Sequence, residues 1–320
     1  MRSRDPAVLV EQARQGDRGA TGRLLSMVER GGPAGASVAR TVYPHSGRIE
    51  RVVGLTGAPG AGKSTLTDGV IGEARKSGEP VGVLAVDPSS PFSGGAILGD
   101  RVRMSEHTTD AGVFIRSMAT RGHLGGLSLA VPEAVRVLGA VGFATVLIET
   151  VGVGQVEVEV AGAADTTVVV VNPGWGDSVQ ANKAGLLEIA DIFVINKADR
   201  PGTAETRRDL DNMLDLDPAM GDWRPPIILT TATTGDGLGE LWASVGDHGA
   251  YLQRSGELLR RRERRLIEEL DRVLVRRLAA DVRTLAEGEV YERLTAAMLA
   301  RRVDPQAAAA ELLDALGVRS

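Results

Sequence analysis

Seven short runs rich in β-branched residues dominate the chain between residues 51 and 231, and helix-like segments separate most of them. Runs such as TTVVVVN (166–172) are almost continuously apolar, which is typical of strands buried on both faces of a sheet. Strands of this kind that alternate with helices form a parallel sheet covered on both sides. We therefore predict a doubly wound α/β domain with a mostly parallel sheet. Its predicted strands are 51–57, 81–87, 112–117, 144–150, 166–172, 192–197 and 226–231.

The two ends of the chain carry helical patterns instead. Residues 5–31 place apolar side chains at helix spacing, which predicts an N-terminal helical extension over 1–48. After the α/β domain, at 49–250, residues 251–282 read as one long amphipathic helix with leucines at four- and seven-residue spacing. Shorter helical stretches follow, so residues 251–320 form a predicted C-terminal helical region.

Composition narrows the functional classes. The chain of 320 residues has no cysteine and four histidines, which excludes disulfides, thiolate metal sites and cysteine nucleophiles. The net charge of −5 argues against a dedicated nucleic-acid-binding protein. No apolar run approaches the roughly 18 residues that a membrane span needs, and the N-terminus lacks a signal-peptide core. We expect a cytoplasmic protein that binds neither nucleic acid nor membrane.

The stretch RRRERR (260–265) is the strongest basic feature. Its arginines alternate with glutamates on a leucine-bearing helix, which favours a solvated coiled-coil face. A nucleic-acid-binding module using these arginines is the less favoured alternative.

The segment GAPGAGKS (57–64) fits the phosphate-binding pattern G-x-x-x-x-G-K-[ST] and lies between a predicted strand and a predicted helix. That context directs backbone N–H groups and the positive end of the helix dipole at phosphates. Lys63 is expected to reach the β- and γ-phosphates, and the Ser64 hydroxyl to ligate Mg²⁺. The predicted phosphate-binding residues are Gly60, Ala61, Gly62, Lys63, Ser64 and Thr65.

The segment NKAD (196–199) follows a later strand and predicts recognition of guanine. Asn196 can fix the loop, Lys197 can lie along the base, and Asp199 can accept hydrogen bonds from guanine N1–H and N2–H₂. Adenine offers no such donor pair and would leave the carboxylate unpaired. The loop at 230–238 is expected to complete the base pocket through the backbone N–H groups of Thr231 and Ala232.

Several acids follow predicted strands where ligands of open α/β sheets bind. Glu149 ends the strand ATVLIE, and Gly152, three residues later, can offer its N–H to the γ-phosphate. Asp87 and Asp100 are further candidates for the metal. Mg²⁺ keeps several waters, so we expect some of these carboxylates to contact it through water. The predicted metal set is Ser64, Asp87, Asp100 and Glu149.

The predicted machinery for hydrolysis looks incomplete. Val153 directly follows Gly152 and cannot orient a water molecule, and Gln155 lies two residues further on. Either Gln155 or a group from a partner would then position the attacking water, so we expect slow nucleotide hydrolysis by the isolated chain. The predicted catalytic residues are Lys63, Asp87, Glu149, Gly152 and Gln155.

Several long segments together resemble the MeaB/ArgK/MMAA GTPases, which are chaperones associated with methylmalonyl-CoA mutase. They are GAPGAGKST, VDPSSPFSGGAILGDRVRM, ETVGVGQVE and NPGWGDSVQANKAGLLEIADIFVINKAD. The resemblance covers nearly the whole chain. It implies a P-loop GTPase fold of the SIMIBI class, related to the signal-recognition-particle and metallocentre-assembly GTPases, with helical extensions at both ends.

The resemblance also implies function. Such proteins form homodimers through C-terminal helices, bind GTP with Mg²⁺, and gate the delivery of adenosylcobalamin to an acyl-CoA mutase, most of all methylmalonyl-CoA mutase. They help to expel damaged cofactor, and they hydrolyse GTP faster when the mutase is bound. Cobalamin itself is not expected to bind this chain, and an adenosyltransferase is a further candidate partner. The family's third switch corresponds to the segment WGDSVQANKAG. The resemblance therefore implies that four of its residues couple the nucleotide site to the partner: Asp177, Ser178, Gln180 and Lys183.

Two other enzyme classes share part of this pattern. A metallocentre-assembly GTPase for urease or hydrogenase would need metal ligands rich in histidine or cysteine, which this composition lacks. An ATPase or kinase associated with amino-acid transport is disfavoured by NKAD, because its aspartate selects guanine.

Overall fold

A computed structural model of the chain describes residues 4–87, 107, 109–119, 126–150, 162–174, 188–216, 221–285 and 288–315. The chain divides into two compact units, Met1–Arg265 and Leu266–Ser320. Among the described helices, none is both long enough and apolar enough to cross a membrane.

The first unit is built on a sheet in which seven strands of the described chain lie parallel, in the order β3-β2-β4-β1-β5-β6-β7. Each predicted run coincides with a strand to within two residues, so the predicted parallel α/β sheet is confirmed. The strands are β1 Arg51–Gly57, β2 Val81–Asp87, β3 Val113–Ala119, β4 Thr145–Thr150, β5 Thr166–Val171, β6 Ile192–Asn196 and β7 Ile227–Thr230.

The described helices lie before, between and after the strands in the sequence. They are α1 Pro6–Arg14, α2 Arg18–Arg30, α3 Gly32–Val42, α4 Lys63–Lys76, α5 Gly126–Val141, α6 Thr203–Asp215, α7 Leu238–Ser255, α8 Glu257–Leu285, α9 Glu289–Leu299 and α10 Pro305–Ala315. A 3₁₀ turn at Tyr43–Arg48 leads into β1.

Alternating side chains of the strands build a core on each face of the sheet. In β4, Val146 and Ile148 pack with α5 and the N-terminal helices, whereas Leu147 packs on the opposite face with α4 and α7. Helix α6 covers β5 and β6 through Leu210 and Leu214. Because both faces are buried, the strands can be apolar at every position. This confirms the doubly wound arrangement.

The N-terminal extension consists of the three helices α1, α2 and α3. Asp5 and Asp17 accept hydrogen bonds from backbone N–H groups in the first turns of α1 and α2, so each aspartate starts a new helix. Arg14 then donates to the carbonyl of Ala140 at the end of α5 (2.9 Å). The extension is thereby joined to the α/β domain.

The predicted continuous helix over 251–282 is wrong at one position. Gly256 has φ +72°, a left-handed conformation that ends α7 at Ser255, and α8 begins at the next residue. Glycine is favoured at such helix ends because it has no Cβ to clash. In the second unit, α9 and α10 bury Leu294 and Ala308.

Candidate nucleotide-binding site

The predicted site residues that the structure describes converge at the carboxyl edge of the sheet. β1 leads into the glycine-rich loop, β4 carries Glu149 at its fifth position, and β6 ends at Asn196. Open parallel sheets bind ligands at this edge because their strands all point to it. The fold therefore brings together segments that are far apart in the sequence.

Two glycines of the phosphate-binding loop are required by close backbone approach. A Cβ on Gly57 would lie 2.0 Å from the carbonyl oxygen of Val170 in β5. Gly62, at φ +91°, is the N-cap of α4, and a Cβ there would lie 2.4 Å from Asn196 Nδ2. Both glycines thus allow the loop to lie directly against its neighbouring strands.

Lys63 and Ser64 begin α4 beneath this loop. The Lys63 ammonium donates to the carbonyl oxygens of Gly57 (2.6 Å) and Ala58 (3.0 Å), and the side chain is buried. Ser64 Oγ donates to Oε1 of the buried Glu149 at 2.5 Å. A hydroxyl and a carboxylate side by side are oxygen donors of the type that Mg²⁺ prefers. Their chemistry therefore fits the predicted metal.

Asn196 joins three segments of the site. Its Nδ2 donates to the carbonyl of Ala61 in the phosphate-binding loop (2.8 Å). Its Oδ1 accepts from Thr230 Oγ1 (3.1 Å) and from the N–H of Ala232 (3.2 Å). The amide is buried, so these bonds lie away from water and fix the relative positions of the loop, β6 and β7. Asn196 therefore links the phosphate-binding loop to the loop after β7.

Lys197 adds a second link between the same segments. It adopts φ +59° and donates from Nζ to the carbonyl of Gly60 (2.7 Å). A left-handed conformation is uncommon for a residue other than glycine, and it turns the chain sharply after β6. The next acidic side chain, Asp199, is thereby placed beside the loop that follows β7.

A cavity of about 120 Å³ lies between these segments. Seven of its nine lining residues were predicted site residues, and the other two are Arg200 and Thr233. The two additional residues directly follow Asp199 and Ala232, and only this adjacency pointed to them. The lining residues are Gly62, Thr65, Asn196, Lys197, Asp199, Arg200, Thr231, Ala232 and Thr233.

The loop after β7 is held by a hydrogen bond within the loop and by another to Asn196. The N–H of Thr231 donates to the carbonyl of Asp236 (3.1 Å), and the N–H of Ala232 donates to Asn196. The two amides predicted to face the base thus donate within the protein. In this structure the loop lines the cavity, and these two N–H groups are bonded to protein atoms.

Several predicted residues lie outside the described part of the chain: Asp100, Gly152, Gln155, Asp177, Ser178, Gln180 and Lys183. Asp87 is the last residue of β2, next to β4 in the sheet, and only its backbone is described. The preceding residue of β2, Val86, pairs in register with Thr150 of β4. The backbone therefore brings Asp87 to the same edge as Glu149.

A phosphate-binding loop, a partly buried Ser64–Glu149 pair and an N-K-x-D segment on one edge of a parallel sheet define a P-loop protein of the guanine-nucleotide-binding class. Comparison with known proteins narrows this class. Residues 21–287 match the family described as methylmalonyl Co-A mutase-associated GTPase MeaB.

Individual relatives agree with this match. The chain is 48% identical to a candidate GTPase of Pyrococcus abyssi over 95% of both chains. It is 36% identical to GTPase ArgK of Escherichia coli, covering 82% of this chain and 81% of that one. A solved structure described as an LAO/AO transport system kinase superposes with a TM-score of 0.72, at 26% identity over 99% of both chains. The chain therefore belongs to the MeaB family of methylmalonyl-CoA mutase-associated GTPases.

Proposed function

We propose that this MeaB-family GTPase binds GTP and GDP with Mg²⁺ at the carboxyl edge of its sheet. The observation that carries the proposal is the bridge made by Asn196 between the phosphate-binding loop and the loop after β7. Because of this bridge, the segment that would bind phosphates is joined to the cavity beside Asp199. A carboxylate at Asp199 would accept both N1–H and N2–H₂ of guanine and so disfavour adenine.

The phosphate end of the site would be served by Lys63 and the metal residues. Lys63 already lies beneath the loop and would exchange its carbonyl partners for phosphate oxygens. Ser64 and Glu149 would hold Mg²⁺, with Asp87 and Asp100 as further ligands, direct or through water. When bound, Mg²⁺ neutralises charge that develops on the phosphates. The buried position of Glu149 supports this role, since a buried carboxylate is favoured beside a cation.

We further propose that the chain serves an adenosylcobalamin-dependent acyl-CoA mutase, with methylmalonyl-CoA mutase as the first candidate. The family description names this mutase. A mouse protein named methylmalonic aciduria type A homolog, mitochondrial, is 40% identical over 66% of this chain and 52% of its own length. The proposed role is to gate cofactor loading and to protect the mutase, with an adenosyltransferase as a candidate second partner.

Hydrolysis is proposed to be slow in the isolated protein and faster with the mutase. Val153, directly after Gly152, offers no group to orient water, so Gln155 or a partner residue would supply it. In other GTPases an arginine that completes the site increases the rate by about 10³- to 10⁵-fold. This gives the range in which stimulation is expected.

Single-turnover GTP hydrolysis, measured with and without purified methylmalonyl-CoA mutase, tests the proposal. We expect slow turnover alone and a clear increase with the mutase. Lys63→Ala should reduce the rate by about 10²-fold or more, because it removes a charge that stabilises the transition state. Lys76→Ala, at the exposed end of the same helix, is the matched control and should leave the rate unchanged. Fast turnover by the isolated wild-type protein would contradict the proposed dependence on a partner.

A second candidate activity comes from the similar solved structure, which is described as a transport system kinase. Competition between ATP and GTP for the purified protein distinguishes the two activities. A kinase that uses ATP would prefer adenine, whereas the arrangement around Asp199 favours guanine.

A further inference from the structure

Two buried carboxylates lie at the amino edge of the sheet, opposite the nucleotide site. Asp165 directly precedes β5 and Asp191 directly precedes β6. Their side chains are only 4% and 9% exposed. Buried carboxylates are costly unless they are paired, so their partners need an account.

Each carboxylate first links two neighbouring strands. Asp165 Oδ2 accepts from the N–H of Val52 in β1 (3.1 Å), while the Asp165 N–H donates to the Val52 carbonyl (2.8 Å). Asp191 Oδ2 accepts from the N–H of Thr167 in β5 (2.8 Å), and its own N–H donates to the Thr167 carbonyl (2.9 Å). The beginnings of β1, β5 and β6 are thus joined in series.

The first turns of α8 supply the compensating charges. Arg261 binds Asp191 through Nη1 (3.0 Å) and Nη2 (2.9 Å), and Nη1 also donates to the Asp165 carbonyl (3.0 Å). Arg262 binds both oxygens of Asp165 (3.2 and 2.7 Å), and Arg265 binds Asp165 Oδ1. We refer to these five residues as the arginine clamp.

The clamp corrects the prediction of a solvated face for RRRERR. Arg261, Arg262 and Arg265 are 30%, 33% and 19% exposed, whereas Arg260 and Arg264 are each 62% exposed. The three arginines of the clamp are spaced to share one face of the helix, and this face packs on the sheet. The segment is therefore divided between three structural arginines and two solvated ones.

Helix α7 completes the surroundings of Asp191. His248 is fully buried, with Nδ1 2.8 Å from Thr166 Oγ1 and Nε2 3.3 Å from Asp191 Oδ1. Trp223 donates from Nε1 to the Asp191 carbonyl (2.8 Å) and packs beside the imidazole, with ring centroids 4.8 Å apart. Every polar atom of Asp191 is thereby engaged.

The three strands joined by the clamp are those that lead to the nucleotide site. β1 runs into the phosphate-binding loop, β6 ends at Asn196, and β5 lies between them and runs towards Pro173 and Gly174. A strand of five to seven residues is stiff along its length, so a shift at its beginning displaces its end. Burial of ion pairs alone is weak support for stability, since well-packed apolar residues commonly stabilise as well. The clamp joins the three strands that lead to the nucleotide site, which indicates that it positions these strands.

We propose that the arginine clamp positions the nucleotide site from the opposite edge of the sheet and couples helix α8 to nucleotide affinity. The inference rests on the proposed binding of GTP and GDP. Arg261 and Arg262 act as positioning residues, because they hold the first residues of β1, β5 and β6 in register. Both arginines lie in the first turns of α8, so a displacement of this part of the helix is expected to change nucleotide affinity. Coupling of this kind is reciprocal, and nucleotide binding then changes the stability of the clamp.

Calorimetric titration of GDP and GTP into Arg261→Gln, Arg261→Lys and wild-type protein tests the inference. We expect Arg261→Gln to weaken both nucleotides by about 5- to 10-fold, at the lower end of measured couplings between sites. Arg261→Lys keeps the charge but loses the two-pronged contact, so it should recover part of the affinity. Arg264→Gln, one turn away and solvated, is the matched control and should stay within about 2-fold of wild type.

Thermal unfolding of the same variants separates positioning from stability. A folded Arg261→Gln protein with a lower Tm but wild-type nucleotide affinity would overturn the inference and leave the proposed function intact. Wild-type protein that binds neither nucleotide would overturn the proposed function itself, and the inference with it.

A second measurement needs no variant and covers the case in which Arg261→Gln does not fold. Hydrogen exchange of the wild-type backbone is compared with and without GDP. The inference expects slower exchange over 257–265 when GDP is bound. Slowing confined to the loops at the carboxyl edge would overturn it.

Discussion

Single residues in this site are constrained by very short distances. Asn196 makes three hydrogen bonds, and Gly62 has no room for a Cβ because the same amide lies against it. The sequence alone indicated these residue types, since a glycine-lysine loop and an N-K-x-D segment carry recognisable chemistry. It held no sign that the two segments touch, because 134 positions separate Gly62 from Asn196.

Asp199→Ala is expected to remove the preference for guanine. Two hydrogen bonds to a charged acceptor contribute about 3 kcal/mol together, so the ratio of GTP to ATP affinity should fall by about 100-fold. Glu205→Ala, an exposed acid on α6 outside the cavity, is the control. Calorimetry with both nucleotides measures the ratio. Unchanged selection of GTP over ATP in Asp199→Ala would show that the base lies elsewhere.

At the scale of helices and strands, continuity of apolar residues was the reliable signal. The strands were predictable because most of them are buried on both faces and therefore carry nearly continuous apolar runs. Gly256 interrupts a helix whose amphipathic spacing continues across it, so periodicity alone joined α7 to α8. The arginine clamp was missed because Asp165 and Asp191 read as ordinary loop acids. Their partners lie 70 to 100 positions away.

The contact between α4 and β6 gives a prediction at this scale. Gly62→Ala adds a Cβ 2.4 Å from Asn196 Nδ2 to a backbone at φ +91°, and should weaken GDP binding by at least about 10-fold. Gly78→Ala is a matched control, because Gly78 has φ +78° and no atom within 4 Å of the added Cβ. It should cost about 1 kcal/mol of stability without changing affinity. Equal effects of the two substitutions would contradict the importance of the contact.

The clamp also predicts acid sensitivity. Burial raises the pKa of Asp165, but the hydrogen bonds and charges of Arg262 and Arg265 outweigh burial and hold the pKa below its ordinary value. The pKa of Asp191 is likewise raised by burial and lowered further by His248 and Arg261. Because both pKa values are lower in the folded state, the stabilisation is complete above about pH 3.9 and is lost as the pH falls through the folded values.

Urea unfolding between pH 7 and pH 3 measures this effect. The free energy of unfolding of the wild type should fall steeply below about pH 4. Asp165→Asn should lower stability by about 3 kcal/mol at pH 7, because it leaves two arginines without their charged partner. It should also make the acid limb shallower. A variant whose pH profile runs parallel to that of the wild type would exclude Asp165 as a source of the acid sensitivity.

At the scale of the whole molecule, the later turns of α8 leave an apolar stripe open to solvent. Side chains that are 43% to 67% exposed belong to Leu266, Ile267, Leu270, Leu274, Val275 and Leu278. Contiguous exposed apolar patches commonly mark interaction surfaces, including contacts between proteins. We propose that this stripe is the contact of the homodimer that the resemblance implies for the C-terminal helices.

Leu270→Glu together with Leu274→Glu should therefore weaken self-association. Burying unpaired carboxylates in an apolar contact costs several kcal/mol, so the dimer dissociation constant should rise by about 100-fold or more. Sedimentation equilibrium measures it. Arg276→Glu changes charge on the same helix away from the stripe and should leave the dimer intact. A monomeric wild type, or a dimer that tolerates both glutamates, would exclude this face as the contact.

Trp223 gives the molecule an optical reporter beside the clamp. Its indole donates to the Asp191 carbonyl and packs at a tilt against His248 and Tyr251, with ring centroids 4.8 and 5.3 Å away. Indole fluorescence depends on neighbouring rings and charges, so a rearrangement around Asp191 changes its emission without any label. With Trp175 and Trp242 replaced by phenylalanine, nucleotide or mutase could be titrated against the remaining tryptophan signal. Events at one edge of the sheet would then be followed in real time from the other.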